Sequence, residues 1–119
     1  MSEKSTCKNR RILNDSRHIC LFGVGVSVQD CYRQLVLAFG REPDFLCDND
    51  PGKWGNEFLG IKCIAPDELR QLGEQTAVVI TIRKYEEIYR QLSNMGLKNI
   101  FVACFDQGYD IVGAIKRLG

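Results

Sequence analysis

The sequence predicts an α/β domain in which five parallel strands form one sheet and helices cover both of its faces. Short apolar runs alternate with segments of helical periodicity, as expected when a crossover helix follows each strand. Three of the helical segments end at a glycine, namely Gly40, Gly73 and Gly96. This alternation favours right-handed crossovers and therefore a parallel, three-layer arrangement.

The individual elements follow from the same patterns. We expect strands at 18–22, 44–47, 61–65, 76–82 and 99–104, and helices at 27–39, 66–72, 85–95 and 111–118. The segment between the second and third strands has no helical pattern and is interpreted as a loop. Because the chain must reverse direction along the sheet after the third strand, we expect the strand order 3-2-1-4-5.

Length and composition limit the classes of function. The chain has 119 residues, enough for one domain, and 45% of them are apolar, which is enough for a core. A net charge of +1 argues against the concentrated basic face that binds nucleic acid or membranes. We expect residues 1–17 to form a polar basic leader and residues 18–119 to form the domain. With no span-length apolar run and no secretory signal, the protein is expected to be cytoplasmic.

The cysteines predict neither a metal site nor a disulfide framework. There are six cysteines but no C-x-x-C pair, and His18 is the only histidine. Four cysteines lie inside apolar, strand-like runs, where a free thiol behaves as a small hydrophobic side chain: Cys20, Cys47, Cys63 and Cys104. We therefore predict six free thiols and no bound metal.

The strongest functional signal is the stretch LFGVGVSVQD. Gly23, Val24 and Gly25 lie between a strand and a helix and match the first part of the G-x-G-x-x-G fingerprint. In that fingerprint the first glycine allows a tight turn and the second lets a pyrophosphate approach the backbone. Amides near Ser27, at the start of the helix, would face an anion. Val28 replaces the third glycine, and we expect it either to displace the helix or to fill the space itself. The alternative is an ordinary turn without a ligand.

Residues after the second and fourth strands complete the candidate site. Asp48 lies about 20 residues beyond the glycine turn, where the fingerprint places an acid on the ribose hydroxyls, and Asn49 follows it. An acid at this position favours NAD or a nucleotide-sugar over NADP. Thr81, near the end of the fourth strand, and Arg83, just after it, are expected at the point where the strand order reverses. The alternative for the segment from Asp48 to Gly52 is a turn rich in turn-forming residues.

The sequence contains no recognisable catalytic set. No tyrosine has a lysine four residues later, so the Tyr-x-x-x-Lys pair of short-chain dehydrogenases and epimerases is missing. The first strand ends in Phe22 and Gly23 rather than in the acid pair of a receiver domain. Position 26 is a valine rather than the arginine of a cysteine-phosphatase loop. We predict no catalytic residue, and a domain that is not an enzyme by itself.

Three stretches resemble a known family: FGVGVSVQDCYRQL, FLCDNDPGKWGNEFLGIKCIAPDEL and VVITIRKYEEIYRQLSNMGLKNI. They are similar to the small Rossmann-type domain attached to bacterial nucleotide-sugar and surface-polysaccharide enzymes, including sugar dehydratase and epimerase relatives and some sugar methyltransferases. The DND followed by KWG is the most specific portion. The resemblance implies a Rossmann-like, CoA-binding-like (NAD(P)-binding) three-layer domain with a nucleotide site at Gly23, Gly25 and Asp48. Val28 departs from the third small residue that the family usually carries.

We therefore predict a non-catalytic module that binds NAD or a nucleotide-sugar in sugar-nucleotide metabolism and polysaccharide biosynthesis. Two alternatives stay open: an interaction or regulatory domain whose ligand site has decayed, and a minimal oxidoreductase subunit completed by a partner chain. Candidate partners are a small-molecule nucleotide or nucleotide-sugar, a sugar-processing enzyme and a second copy of this chain. Nucleic acid, membrane and metal are not expected.

Overall fold

The computed structural model describes residues 15–25, 28–103 and 115–118. The strands in this part of the chain are β1 (His18–Phe22), β2 (Phe45–Cys47), β3 (Glu57–Phe58), β4 (Ile61–Ile64), β5 (Thr76–Ile80), β6 (Asn99–Ala103) and β7 (Ile115–Arg117). The helices described are α1 (Val28–Phe39), α2 (Pro66–Gln71) and α3 (Glu86–Asn94), and a 3₁₀-helix covers Pro51–Lys53.

These strands form one sheet in the order β3-β4-β2-β1-β5-β6-β7. The five central strands, β4-β2-β1-β5-β6, pair in parallel and are the five strands expected from the sequence. The two outer strands pair antiparallel, β3 with β4 and β7 with β6. The predicted five-stranded, all-parallel sheet is therefore wrong in its strand count and in the full strand order, because both edges carry an additional antiparallel strand.

The additional strand β3 depends on a tight hairpin turn. Leu59 and Gly60 join β3 to β4 with φ angles of 58° and 75°, and positive φ at both central residues is the signature of a type I′ turn. Leucine rarely adopts positive φ, so the local pattern does not predict a turn there. The predicted loop thus contains a 3₁₀-helix and a short strand.

The structure has a strand, β7, in the segment where the sequence predicted the end of the final helix. Ile115–Arg117 pairs with β6, and the Leu118 N–H donates to the Ile100 carbonyl oxygen at 2.8 Å. The Arg117 guanidinium donates to the Asn99 side-chain oxygen at 3.2 Å. Short apolar runs do not distinguish helix from strand by periodicity, and the β6 edge offers backbone partners to a strand. The rest of that predicted helix, including Ile111 and Val112, lies outside the described residues.

Helices pack on both faces of the sheet, as the sequence predicts. On one face Val28, Cys31 and Leu35 of α1 belong to a core cluster with Ile19, Leu21, Leu46, Ala77, Val79 and Phe101. On the other face Leu69 of α2 and Leu92 of α3 belong to a cluster with Cys20, Phe22, Val78, Ile80, Ile100 and Val102. Alternate residues of β1 enter opposite clusters, so this strand is buried on both faces.

Cys20, Cys31, Cys47 and Cys63 are buried free thiols. Desolvation by burial is the main cause that raises the pKa of the Cys31 thiol to about 12 and that of Cys63 to about 11. Cys7 and Cys104 lie outside the described residues, so six free thiols per chain stays a prediction.

We expect the free energy of unfolding to fall as the pH rises from about 9 toward 12, because of these thiols. Unfolded thiols ionise near 9.0, whereas the folded domain keeps the Cys31 thiol protonated until about 12. The stabilisation is complete below the unfolded pKa and is lost above it, by about 1.4 kcal/mol per pH unit for each such thiol. Urea unfolding at several alkaline pH values measures this slope. Cys31→Ala should decline less steeply than wild type; equal slopes would contradict the assignment.

Candidate functional site

The described candidate residues follow the carboxyl ends of three neighbouring parallel strands. Gly23, Val24 and Gly25 follow β1, Asp48 and Asn49 follow β2, and Thr81 and Arg83 follow β5. Since β2 and β5 flank β1 on its two sides, these segments meet at the edge of the sheet that is formed by the carboxyl ends of its parallel strands. In sheets of this kind, ligands bind at such an edge, where the strand order reverses. Ser27 lies outside the described residues.

Gly23 is the point of closest approach between the turn after β1 and the segment after β5. Its φ is +115°, and a Cβ built on it would lie 2.6 Å from Thr81 Oγ1 and 2.6 Å from Ile82 Cγ1. The buried Thr81 hydroxyl donates to the Gly23 carbonyl oxygen at 2.6 Å. Gly23 therefore makes a tight turn in which a residue with a Cβ would not fit. The Thr81 hydroxyl holds that turn in place.

Gly25, unlike Gly23, has open space around its Cα atom. It is exposed, and a Cβ built on it would meet no heavy atom within 4 Å. Val28, three residues later, is buried in the core cluster that also contains Val24 and Cys31. Of the two outcomes expected for Val28, the structure thus shows its side chain filling space in the core. The backbone at Gly25 remains open to an approaching group.

Asp48 ties the end of β2 to the glycine turn. Its Oδ2 accepts a hydrogen bond from the Val24 N–H at 2.7 Å, and its Oδ1 accepts one from the Asp50 N–H at 2.9 Å. The Gly23 N–H donates to the Cys47 carbonyl oxygen at 2.8 Å beside this contact. A carboxylate can accept about four hydrogen bonds. Asp48 therefore has acceptor capacity beyond these two contacts.

Lys53 and Trp54 also belong to this edge, although the sequence did not assign them to the site. The Lys53 ammonium donates to the Val24 carbonyl oxygen at 2.6 Å and lies 3.6 Å from Asp48 Oδ2. The indole N–H of the exposed Trp54 donates to the Asp48 carbonyl oxygen at 2.7 Å. A 3₁₀-helix capped by Asp50 leads the chain back to this position. The only sequence signal for both residues was their place in the KWG stretch of the family resemblance.

The remaining two described candidates are Asn49 and Arg83. The Asn49 side-chain amide makes a reciprocal pair with Gln91 of α3, with N···O distances of 3.0 and 2.8 Å. Arg83 is exposed beyond the end of β5. Hydrogen bonds thus join Gly23, Val24, Asp48 and Thr81, whereas Asn49 contacts the neighbouring helix.

The described part of the chain shows no metal-ligand cluster and no membrane-spanning helix. No group of three or more His, Cys, Asp or Glu side chains is arranged there to hold a metal ion. Nor does any helix in residues 15–25, 28–103 and 115–118 have the length and apolar character needed to cross a membrane.

Comparison with known proteins supports the fold. No protein-family model matches the chain, and no curated protein matches it. A solved structure of a UDP-D-quinovosamine 4-dehydrogenase from Vibrio fischeri is similar, with a TM-score of 0.65 and 17% sequence identity. The match covers 85% of this chain and 92% of that chain. The chain has a Rossmann-like fold. At this level of identity the likeness concerns the fold alone.

Proposed function

We propose that the chain is a nucleotide-binding module that holds NAD or a nucleotide-sugar at the glycine turn and Asp48. The observation that carries this proposal is the 2.7 Å hydrogen bond from the Val24 N–H to Asp48 Oδ2. It joins the two halves of a dinucleotide fingerprint, the turn and the acid, at the ends of adjacent parallel strands.

The diphosphate and the ribose of a nucleotide each have a matching group at this edge. The open backbone at Gly25 suits a diphosphate, and the following N-terminus of the twelve-residue helix α1 favours an anion. Asp48 has acceptor capacity for ribose hydroxyls. We expect dissociation constants in the range of about 1 μM to 1 mM, because the Val24 N–H already donates to Asp48 and is therefore not free for a phosphate.

The proposal extends to sugar-nucleotide metabolism in the cytoplasm. The similar solved structure is a UDP-D-quinovosamine 4-dehydrogenase, which makes a uridine diphosphate-sugar a ligand class to test beside NAD. The sequence lacks a Tyr-x-x-x-Lys pair, so we propose binding without chemistry by this chain alone.

A second candidate is an interaction domain whose ligand site has decayed. One observation favours it: both backbone polar groups of Val24 are bonded to side chains of the domain itself, the N–H to Asp48 and the carbonyl to Lys53. A turn stabilised in this way can persist after ligand binding has been lost.

Trp54 offers a direct test because it is the only tryptophan in the chain. Its indole donates to the Asp48 carbonyl oxygen, so its fluorescence should report on this edge. Titration with NAD, ADP or a uridine diphosphate-sugar should change the emission saturably between about 1 μM and 1 mM. Calorimetry should give the same constants, with sodium chloride as the control for ionic strength. If none of the nucleotides binds at millimolar concentration, the interaction domain becomes the better interpretation.

A further inference from the structure

The acidic residue that follows β2 influences whether a dinucleotide site accepts a ribose with free hydroxyls or one with a 2′-phosphate. A carboxylate there accepts hydrogen bonds from free ribose hydroxyls, whereas a nearby cationic side chain accommodates a 2′-phosphate. Each carboxylate oxygen of Asp48 already accepts one backbone hydrogen bond, Oδ2 from the Val24 N–H and Oδ1 from the Asp50 N–H. The choice between the two kinds of ribose therefore depends on the groups around Asp48 as well as on its carboxylate.

Lys53 brings a positive charge to the same point. Its Nζ lies 3.6 Å from Asp48 Oδ2, and the two side chains are 33% and 16% exposed, respectively. Solvent therefore screens this pair less than a fully exposed one. The ammonium makes one hydrogen bond, to the Val24 carbonyl oxygen. It has three donors in all, so capacity remains for a ligand oxygen.

Hydrogen bonds within the surrounding loop hold the backbone of Lys53 and engage the carboxylate of Asp50. The Lys53 N–H donates to the Asp50 carbonyl oxygen at 3.0 Å. The exposed Asp50 carboxylate accepts the Gly52 N–H at 3.0 Å. Asp48 and Lys53 thus place one carboxylate and one ammonium beside the glycine turn, and these two charges compensate each other.

We infer that Lys53 lets the ribose subsite accept a 2′-phosphate, so that NADP binds about as well as NAD. The inference rests on the proposed function and differs from the preference for NAD that Asp48 alone predicts. The ammonium cancels the repulsion between Asp48 and a 2′-phosphate and donates to the phosphate oxygens. Lys53 is then the specificity-determining residue of the subsite.

Calorimetric titration of NAD and NADP into matched variants tests this inference. For wild type we expect the two dissociation constants to agree within about threefold. Lys53→Met should weaken NADP at least about tenfold and NAD about threefold or less, whereas Lys53→Arg should keep both affinities. Lys98→Met is the control, because Lys98 lies at the amino ends of the strands, where it pairs with Glu74 at 3.4 Å. It should leave both affinities unchanged.

The outcomes separate the inference from the function on which it rests. A wild type that prefers NAD by more than about 20-fold, or a Lys53→Met that weakens both ligands equally, overturns the inference and leaves nucleotide binding in place. Failure of both dinucleotides to bind wild type overturns the inference, and failure of ADP and a uridine diphosphate-sugar as well contradicts the proposed function.

A measurement on wild type alone keeps the inference testable if Lys53→Met does not fold. Asp48 alone would raise the pKa of the 2′-phosphate of bound NADP above that of free NADP, whereas the ammonium beside it should keep that pKa at or below the free value. A ³¹P NMR titration of the complex measures this pKa. A raised pKa would show that the phosphate meets the Asp48 carboxylate without the Lys53 ammonium and would overturn the inference.

Discussion

Replacing Gly23 by alanine is expected to destabilise the domain by about 3–5 kcal/mol. The new Cβ would lie 2.6 Å from Thr81 Oγ1 and from Ile82 Cγ1, at a φ of +115° that an alanine rarely adopts. Thr81 cannot withdraw freely, because its buried hydroxyl donates to the Gly23 carbonyl oxygen and its N–H donates to the Phe22 carbonyl oxygen. Relief of the clash would separate β1 from β5 at the edge that forms the candidate site.

Urea unfolding followed by circular dichroism measures this effect, and Gly25→Ala is its matched control. A Cβ at Gly25 meets no heavy atom within 4 Å, so that variant should unfold within about 0.5 kcal/mol of wild type. A loss below about 1 kcal/mol for Gly23→Ala would mean that the turn adjusts and that Gly23 is not structurally required.

Replacing Gly25 by valine is expected to have the opposite profile, with little loss of stability and a large loss of nucleotide affinity. The valine side chain would occupy the open space in front of the backbone, which is the volume that a diphosphate needs. We expect calorimetry with ADP to show affinity reduced at least about tenfold, and Gly25→Ala to give an intermediate value. A folded Gly25→Val protein that binds ADP as wild type does would place any nucleotide site elsewhere.

The parallel part of the sheet could be predicted because each of its strands is an apolar run and the handedness of the crossovers limits their order. The two outermost strands could not be predicted in this way. Strand β3 has two residues and depends on Leu59 at a φ of 58°, an exception to local preference. Strand β7 uses residues whose spacing also fits a helix, and its identity depends on the free edge of β6.

The glycine turn and Asp48 could be predicted as a pair because their spacing follows the dinucleotide fingerprint. The contacts of Lys53 could not be predicted, since they depend on how the 3₁₀-helix turns the loop back toward Val24. The direction of the Val28 side chain was ambiguous for a similar reason. It depends on how α1 is rotated against the sheet, and the structure buries it in the core.

The most direct test of nucleotide binding at this turn is an amide ¹H–¹⁵N shift map of wild type during titration with ADP, with Gly25→Val measured in parallel. We predict that the largest shift changes occur at Gly23, Val24, Gly25 and Asp48 and saturate together. The amides of Glu74 and Lys98, at the amino ends of the strands, should not move, and the changes should be lost in Gly25→Val. Shift changes confined to another surface, or none at millimolar ADP, would contradict the claim.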